Sequence, residues 1–139
     1  YIIPKKNENY DVDLEMEDVI FWGKQDTSIE IIDFLEKQKS WSSKISQYGK
    51  EDETCIEFLY ENEILEEISC RFDLRSLSKN LLEQILDYAK KIEGLIFYDN
   101  KIFQPNIEEI VELMKCSKTN KFCQNPIGYF AEIPENGLI

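Results

Sequence analysis

The chain reads as a single α+β domain with a ferredoxin-like, split βαβ core, and three observations on its 139 residues point there. Apolar residues make up 42% and aromatics 12%, enough bulk to fill one core at this length. Between residues 19 and 98 the hydrophobic period switches between two and 3.6 in the order β-α-β-β-α-β, which is the split βαβ pattern. The whole chain holds only 5 Gly and 4 Pro, so collagen-like and low-complexity classes are excluded.

The elements follow in order. Over residues 10–17, Tyr10, Val12, Leu14 and Met16 alternate with Asp11, Asp13, Glu15 and Glu17, which predicts a half-buried strand within an acidic N-terminal segment, residues 1–18. Val19, Ile20, Phe21 and Trp22 form a short apolar run ended by Gly23, and predict a buried strand. Thr27 or Ser28 caps an expected helix with Glu30 in its first turn. Ile29, Ile32, Phe34 and Leu35 give its stripe, to about Lys39. Residues 40–54 read as a loop, with Trp41, Ile45 and Tyr48 as anchors.

A hairpin is expected next, from Cys55–Tyr60 and Ile64–Asp73. A three-residue loop, Glu61-Asn62-Glu63, keeps Ile56, Phe58 and Tyr60 on the same face as Ile64, Ile68, Cys70 and Phe72. That register puts Glu57 opposite Glu67, and Cys55 and Cys70 on opposite faces. Ser76 or Ser78 opens a helix with its stripe at Leu77, Leu81, Leu82, Ile85, Leu86, Ala89 and Ile92, and Gly94 follows as its C′ residue. Leu95–Tyr98 is a buried strand that closes the 19–98 core.

Residues 99–116 append an Asp99-Asn100 turn, a strand at Lys101–Gln104 and a helix capped by Asn106, with Ile110, Val111, Leu113 and Met114 as its apolar face. Residues 117–139 form a tail. Both helices are expected on one face of the sheet, with the other face open or covered by the tail alone.

Charge narrows the function classes. There are 28 acidic against 16 basic residues, a formal −12, which repels nucleic-acid phosphates and anionic membranes and favours basic protein partners. The absence of histidine removes Ser–His and Cys–His nucleophilic sites, imidazole acid–base catalysis and His-containing zinc sites. No phosphate-binding, nucleophile-elbow, HExxH or EF-hand motif occurs. The expectation is a protein without enzymatic activity, metal or cofactor. Cys55, Cys70, Cys116 and Cys123 lack paired zinc spacing and read as reduced thiols. With no apolar run long enough to span a bilayer and no apolar leader, the predicted compartment is the cytoplasm.

Residues 72–117, FDLRSLSKNLLEQILDYAKKIEGLIFYDNKIFQPNIEEIVELMKCS, resemble the helix–hairpin–helix ending of small bacterial proteins, some of them found beside polymorphic toxins. The likeness rests on FDLR, the long apolar helix, the Asp-Asn turn, KIFQP and the closing amphipathic helix. It implies an immunity protein of a contact-dependent inhibition or related toxin system: small, acidic and cytoplasmic, binding one cognate toxin domain. It carries no contact residues with it.

The residues themselves offer the candidates. Asp11, Asp13, Glu15 and Glu17, with Glu57, Glu61, Glu63, Glu66 and Glu67, are the expected salt-bridge acceptors for the Lys and Arg of a basic toxin domain, a nuclease held 1:1 by its phosphate-binding groove. Tyr48 and Tyr60 are the accompanying anchors. The simplest competing reading is that these carboxylates only solvate the surface. The alternative function is a ferredoxin-like ligand-binding or regulatory domain acting as a homodimer through an open sheet face; a third is an enzyme using carboxylates and a supplied metal.

Overall fold

The computed structural model describes residues 1–8, 15–23 and 29–116. They build a seven-stranded antiparallel sheet with two helices, an α+β fold. The strands are β1 (Ile2–Pro4), β2 (Lys37–Gln38), β3 (Ile45–Tyr48), β4 (Cys55–Glu61), β5 (Ile64–Arg71), β6 (Gly94–Tyr98) and β7 (Lys101–Phe103). The helices are α1 (Lys79–Lys91) and α2 (Ile107–Cys116). The strand order is β2-β3-β4-β5-β1-β6-β7, so β1 lies between β5 and β6, which run parallel to each other and are joined through α1.

One row of side chains crosses six of these strands: Ser46, Phe58, Ile68, Ile2, Ile96 and Phe103 stand opposite one another in register. Ile2, Phe58 and Ile68 are fully buried there against Leu82, Ile85 and Leu86 of α1 and Ile110 and Met114 of α2. Each such side chain contributes about 1.5–3 kcal/mol of transfer free energy. A smaller cluster lies on the opposite face, where Met16, Val19 and Phe21 cover Ile3, Leu95 and Phe97.

Several expectations hold with their mechanisms. Ser78 caps α1, its Oγ accepting from the Leu81 amide at 3.0 Å, and Lys90 and Lys91 occupy the last turn. Asp99 and Asn100, both at positive φ, make the tight turn between β6 and β7. Asn106 caps α2 through the Glu109 amide at 2.9 Å, and the Glu109 carboxylate accepts from the Gln104 amide at 2.9 Å.

The hairpin is corrected in detail. The turn has two residues, Asn62 and Glu63, both at positive φ, with Glu61 paired to Ile64. A bulge then shifts the register between Leu59 and Tyr60, leaving Glu66 as the extra residue. Beyond the bulge the parity expected of an odd loop returns, so Ile56, Phe58, Ile68 and Cys70 do share the core face. Before it Ile64 pairs with Glu61 and falls to the other face, and Leu65 takes the core position expected of Ile64. Glu57 stands opposite Ser69, and Glu67 opposite Leu59, rather than the two facing each other. Cys55 and Cys70 lie on opposite faces and are free thiols.

The first third departs further from expectation. Residues 19–22 are no strand: the Ile20 amide donates to Asn7 Oδ1 at 3.0 Å, and the Trp22 and Gly23 amides donate to the Glu66 and Leu65 carbonyls. They take up the ladder of β5 where β1 ends at Pro4. The strand expected over 10–17 gives way at its end to a 3₁₀ turn at Met16–Asp18, and residues 9–14 lie outside the described residues.

No helix runs through residues 30–36; Lys37–Gln38 pair with β3 instead, and Ile45–Tyr48, expected as loop, are that strand. Tyrosine hydroxyls hold the start of this segment at Ile29 and Glu30, and Ile32, Phe34 and Leu35 pack against the main core from irregular backbone. The β-α-β-β-α-β order is thus replaced, among the described residues, by a larger sheet with one crossover helix. Gly94 is no helix cap. Glu93 takes the left-handed position, and a Cβ on Gly94 would stand 2.7 Å from Ile2 Cγ2, so glycine is there for the close approach of β6 and β1.

Candidate functional site

The sheet sorts the candidate carboxylates by face. Glu57 and Glu67 project from β4 and β5 on the face opposite α1, the same face on which the Met16–Asp18 turn packs over Ile3 and Phe97. Glu15 and Glu17 flank Met16 in that turn and are exposed. Glu61 and Glu63 sit at the hairpin end, and Glu66 is half-buried at the bulge. The structure therefore brings Glu15, Glu17, Glu57 and Glu67 to one side of the sheet and leaves Glu61 and Glu63 at its end. Asp11 and Asp13 lie outside the described residues.

Their pairing is sparse. Among the described residues the ion pairs are Lys37–Glu30, Lys44–Glu61, Arg75–Asp73 and Lys115–Glu112. Of the candidate acids only Glu61 has such a cation, Lys44, at 3.1 Å. No group of three His, Cys, Asp or Glu among the described residues could hold a metal ion. Cys55, buried beside Glu57, has its thiol pushed up by burial and by that carboxylate. Burial pushes the Cys70 thiol up to about 12, so neither carries a thiolate at neutral pH.

The best-built polar cluster was not legible as a site in the sequence. Glu30 accepts from Tyr48 Oη at 2.9 Å and from Tyr60 Oη at 2.8 Å, with Lys37 Nζ at 3.9 Å. Tyr88 Oη of α1 donates to the Ile29 carbonyl. Three tyrosines from β3, β4 and α1 thus converge on two adjacent residues. Tyr48 and Tyr60, expected as partner anchors, are inward-facing latches. The Tyr48–Phe58–Tyr88 edge-on contacts continue the cluster into the core.

The cluster sets an alkaline limit. Burial, and then the hydrogen bond to Glu30, push Tyr48 from 10.0 up to about 12, and Tyr60 rises for the same two reasons. The unfolded chain ionises these phenols first. Their contribution to stability is therefore full below pH 10 and is lost as pH rises from there through about 12. A phenolate absorbance titration should show a late step that coincides with loss of far-UV dichroism. Glu30→Gln should move that step to lower pH; a single tyrosine transition, unchanged by Glu30→Gln, would contradict the latch.

No helix among the described residues is long and apolar enough to cross a membrane. No family model matches the chain, and no curated protein or solved structure matches it either.

Proposed function

We propose that the protein is a non-enzymatic immunity protein that binds a basic toxin domain, a nuclease, 1:1 in the cytoplasm. One observation carries the reading: Glu15, Glu17, Glu57 and Glu67 occupy a common side of the sheet, with no ion pair to any of them among the described residues. Arg71 shares that face, but its guanidinium donates to the Glu51 carbonyl. Like charge left without an ion pair on a rigid sheet destabilises the free protein slightly and is relieved by a cationic partner. A net charge of −12 adds long-range attraction to a phosphate-binding groove. Glu63 and Glu66 extend the acidic surface towards the hairpin end, while Glu61 serves Lys44 first.

The test is co-expression with the C-terminal domain of the toxin encoded beside it. Growth rescue and a 1:1 complex are expected, and Glu57→Lys with Glu67→Lys should abolish both while the variant stays folded by circular dichroism. Full rescue by the charge-reversed variant would remove this face from the interface.

A second reading has its own support. The order β4-β5-β1-β6, with α1 crossing from β5 to β6, suits a ferredoxin-like sheet within the larger one, and a domain of that kind acting as a regulatory homodimer is the alternative. A cavity of about 230 Å³ between the sheet and α2, lined by Cys70, Phe72, Ile96, Ile110 and Leu113, offers room for a small apolar ligand. A dimer that persists in sedimentation from about 50 to 500 mM salt would favour this reading over the acidic one.

A further inference from the structure

Trp41 is the most exposed large hydrophobic side chain of the described residues at 72%, while Trp22 is 4% exposed. It sits in the loop between β2 and β3, which is tied down through Ser40, Ser42 and Lys44. Ser40 Oγ donates to the Ile45 carbonyl at 2.7 Å and accepts from the Ser42 amide at 3.2 Å. Ser42 Oγ accepts from the Lys44 amide at 3.2 Å, and the Ser42 carbonyl accepts from the Ile45 amide at 3.2 Å. The Lys44 carbonyl accepts from the Tyr60 amide at 2.8 Å, and Lys44 Nζ reaches both Glu61 carboxylate oxygens at 3.1 and 3.2 Å.

The loop is therefore locked to the end of β4, next to the Asn62-Glu63 turn. An indole held out in water on a hydrogen-bonded loop buries nothing in the free chain and loses little freedom on being covered. Those are the properties of a binding hot spot. At this end of the sheet Lys39 and Lys44 of the loop stand against Glu61, Glu63 and the half-exposed Glu66 and Glu67 of the hairpin. With Lys44 paired to Glu61 the remaining balance is negative, which favours a cationic occupant. An indole face also attracts guanidinium and ammonium groups directly.

We propose that Trp41 is the central anchor of the interface, stacking with an arginine or lysine of the basic partner while the Glu63 side of the hairpin end neutralises the adjacent charge. This rests on the acidic-surface reading above and adds what that reading lacks, an aromatic centre. It also moves the centre of contact to the end of the sheet shared by the β2–β3 and β4–β5 loops.

An oligoarginine peptide is the probe, titrated against the full chain at about 150 mM salt, where simple charge attraction is largely screened. Tryptophan emission should quench, because only Trp41 is accessible. Trp41→Ala should weaken binding about tenfold, Trp41→Phe less, and oligolysine should bind more weakly than oligoarginine. Trp41→Ala binding as tightly as the wild type, with Glu63→Gln binding weaker, would overturn the anchor and leave the acidic reading standing. Wild type failing to bind oligoarginine would also overturn it, and co-expression with the toxin domain would then judge the acidic reading by itself.

Discussion

Asn7→Ala is expected to lower the free energy of unfolding by about 2–4 kcal/mol, because it strands the partners of a fully buried side chain. The Asn7 side chain is 0% exposed. Its amide nitrogen donates to the Pro4 carbonyl at 2.9 Å and the Ile20 carbonyl at 2.8 Å, and its oxygen accepts from the Ile20 amide at 3.0 Å. Truncation leaves one N–H and two carbonyls without that partner, each costing about 1–3 kcal/mol before any relaxation. The Asn7 bonds fix Val19 and Phe21 over Ile3 and Phe97, and place Trp22, whose Nε1 donates to the Ile2 carbonyl at 2.8 Å. Urea denaturation should show a lower midpoint at unchanged slope. A shift below about 1 kcal/mol would mean that water replaces the side chain at that site.

Gly49→Ala should be similarly damaging, by about 3–4 kcal/mol, through backbone strain and overpacking together. Gly49 has φ +87, and a Cβ there would stand 2.4 Å from the Thr54 carbonyl oxygen, a backbone atom that cannot swing aside. Its amide donates to the Glu36 carbonyl at 2.8 Å, and its carbonyl accepts from buried Gln47. The turn out of β3 and the entry into β2 are thus built on one residue. Thermal unfolding of Gly49→Ala against wild type checks this, and an unchanged midpoint would contradict it.

The later part of the chain was largely legible because local signals there agree with the tertiary outcome. Ser78 and Asn106 cap helices whose stripes meet the sheet, and Asp99-Asn100 is a turn whose φ values those residues tolerate. The first third misled for a physical reason: its order comes from distant partners. Ile2–Pro4 is only three residues long and shows no alternation, yet it is a central strand because β5 and β6 flank it. Ile29, Ile32, Phe34 and Leu35 have helical spacing, yet they pack against the core without a helix, the segment's start held at Ile29 and Glu30 by tyrosine hydroxyls from β3, β4 and α1.

For the site, composition announced the acidic surface, whereas its division between two places depends on the bulge at Glu66, which no local motif announces. Trp41 was expected as an inward anchor; it points the other way because three loop hydrogen bonds from Ser40 and Ser42 satisfy the backbone without it.

The central claim, that the acidic surface recruits a basic toxin domain, meets its most direct test in the association rate measured across salt. Between about 50 and 500 mM salt the rate for wild type should fall steeply, and the Glu57→Lys, Glu67→Lys variant should be slow and nearly salt-independent. A rate that is flat with salt, or equally steep in the charge-reversed variant, would contradict the account.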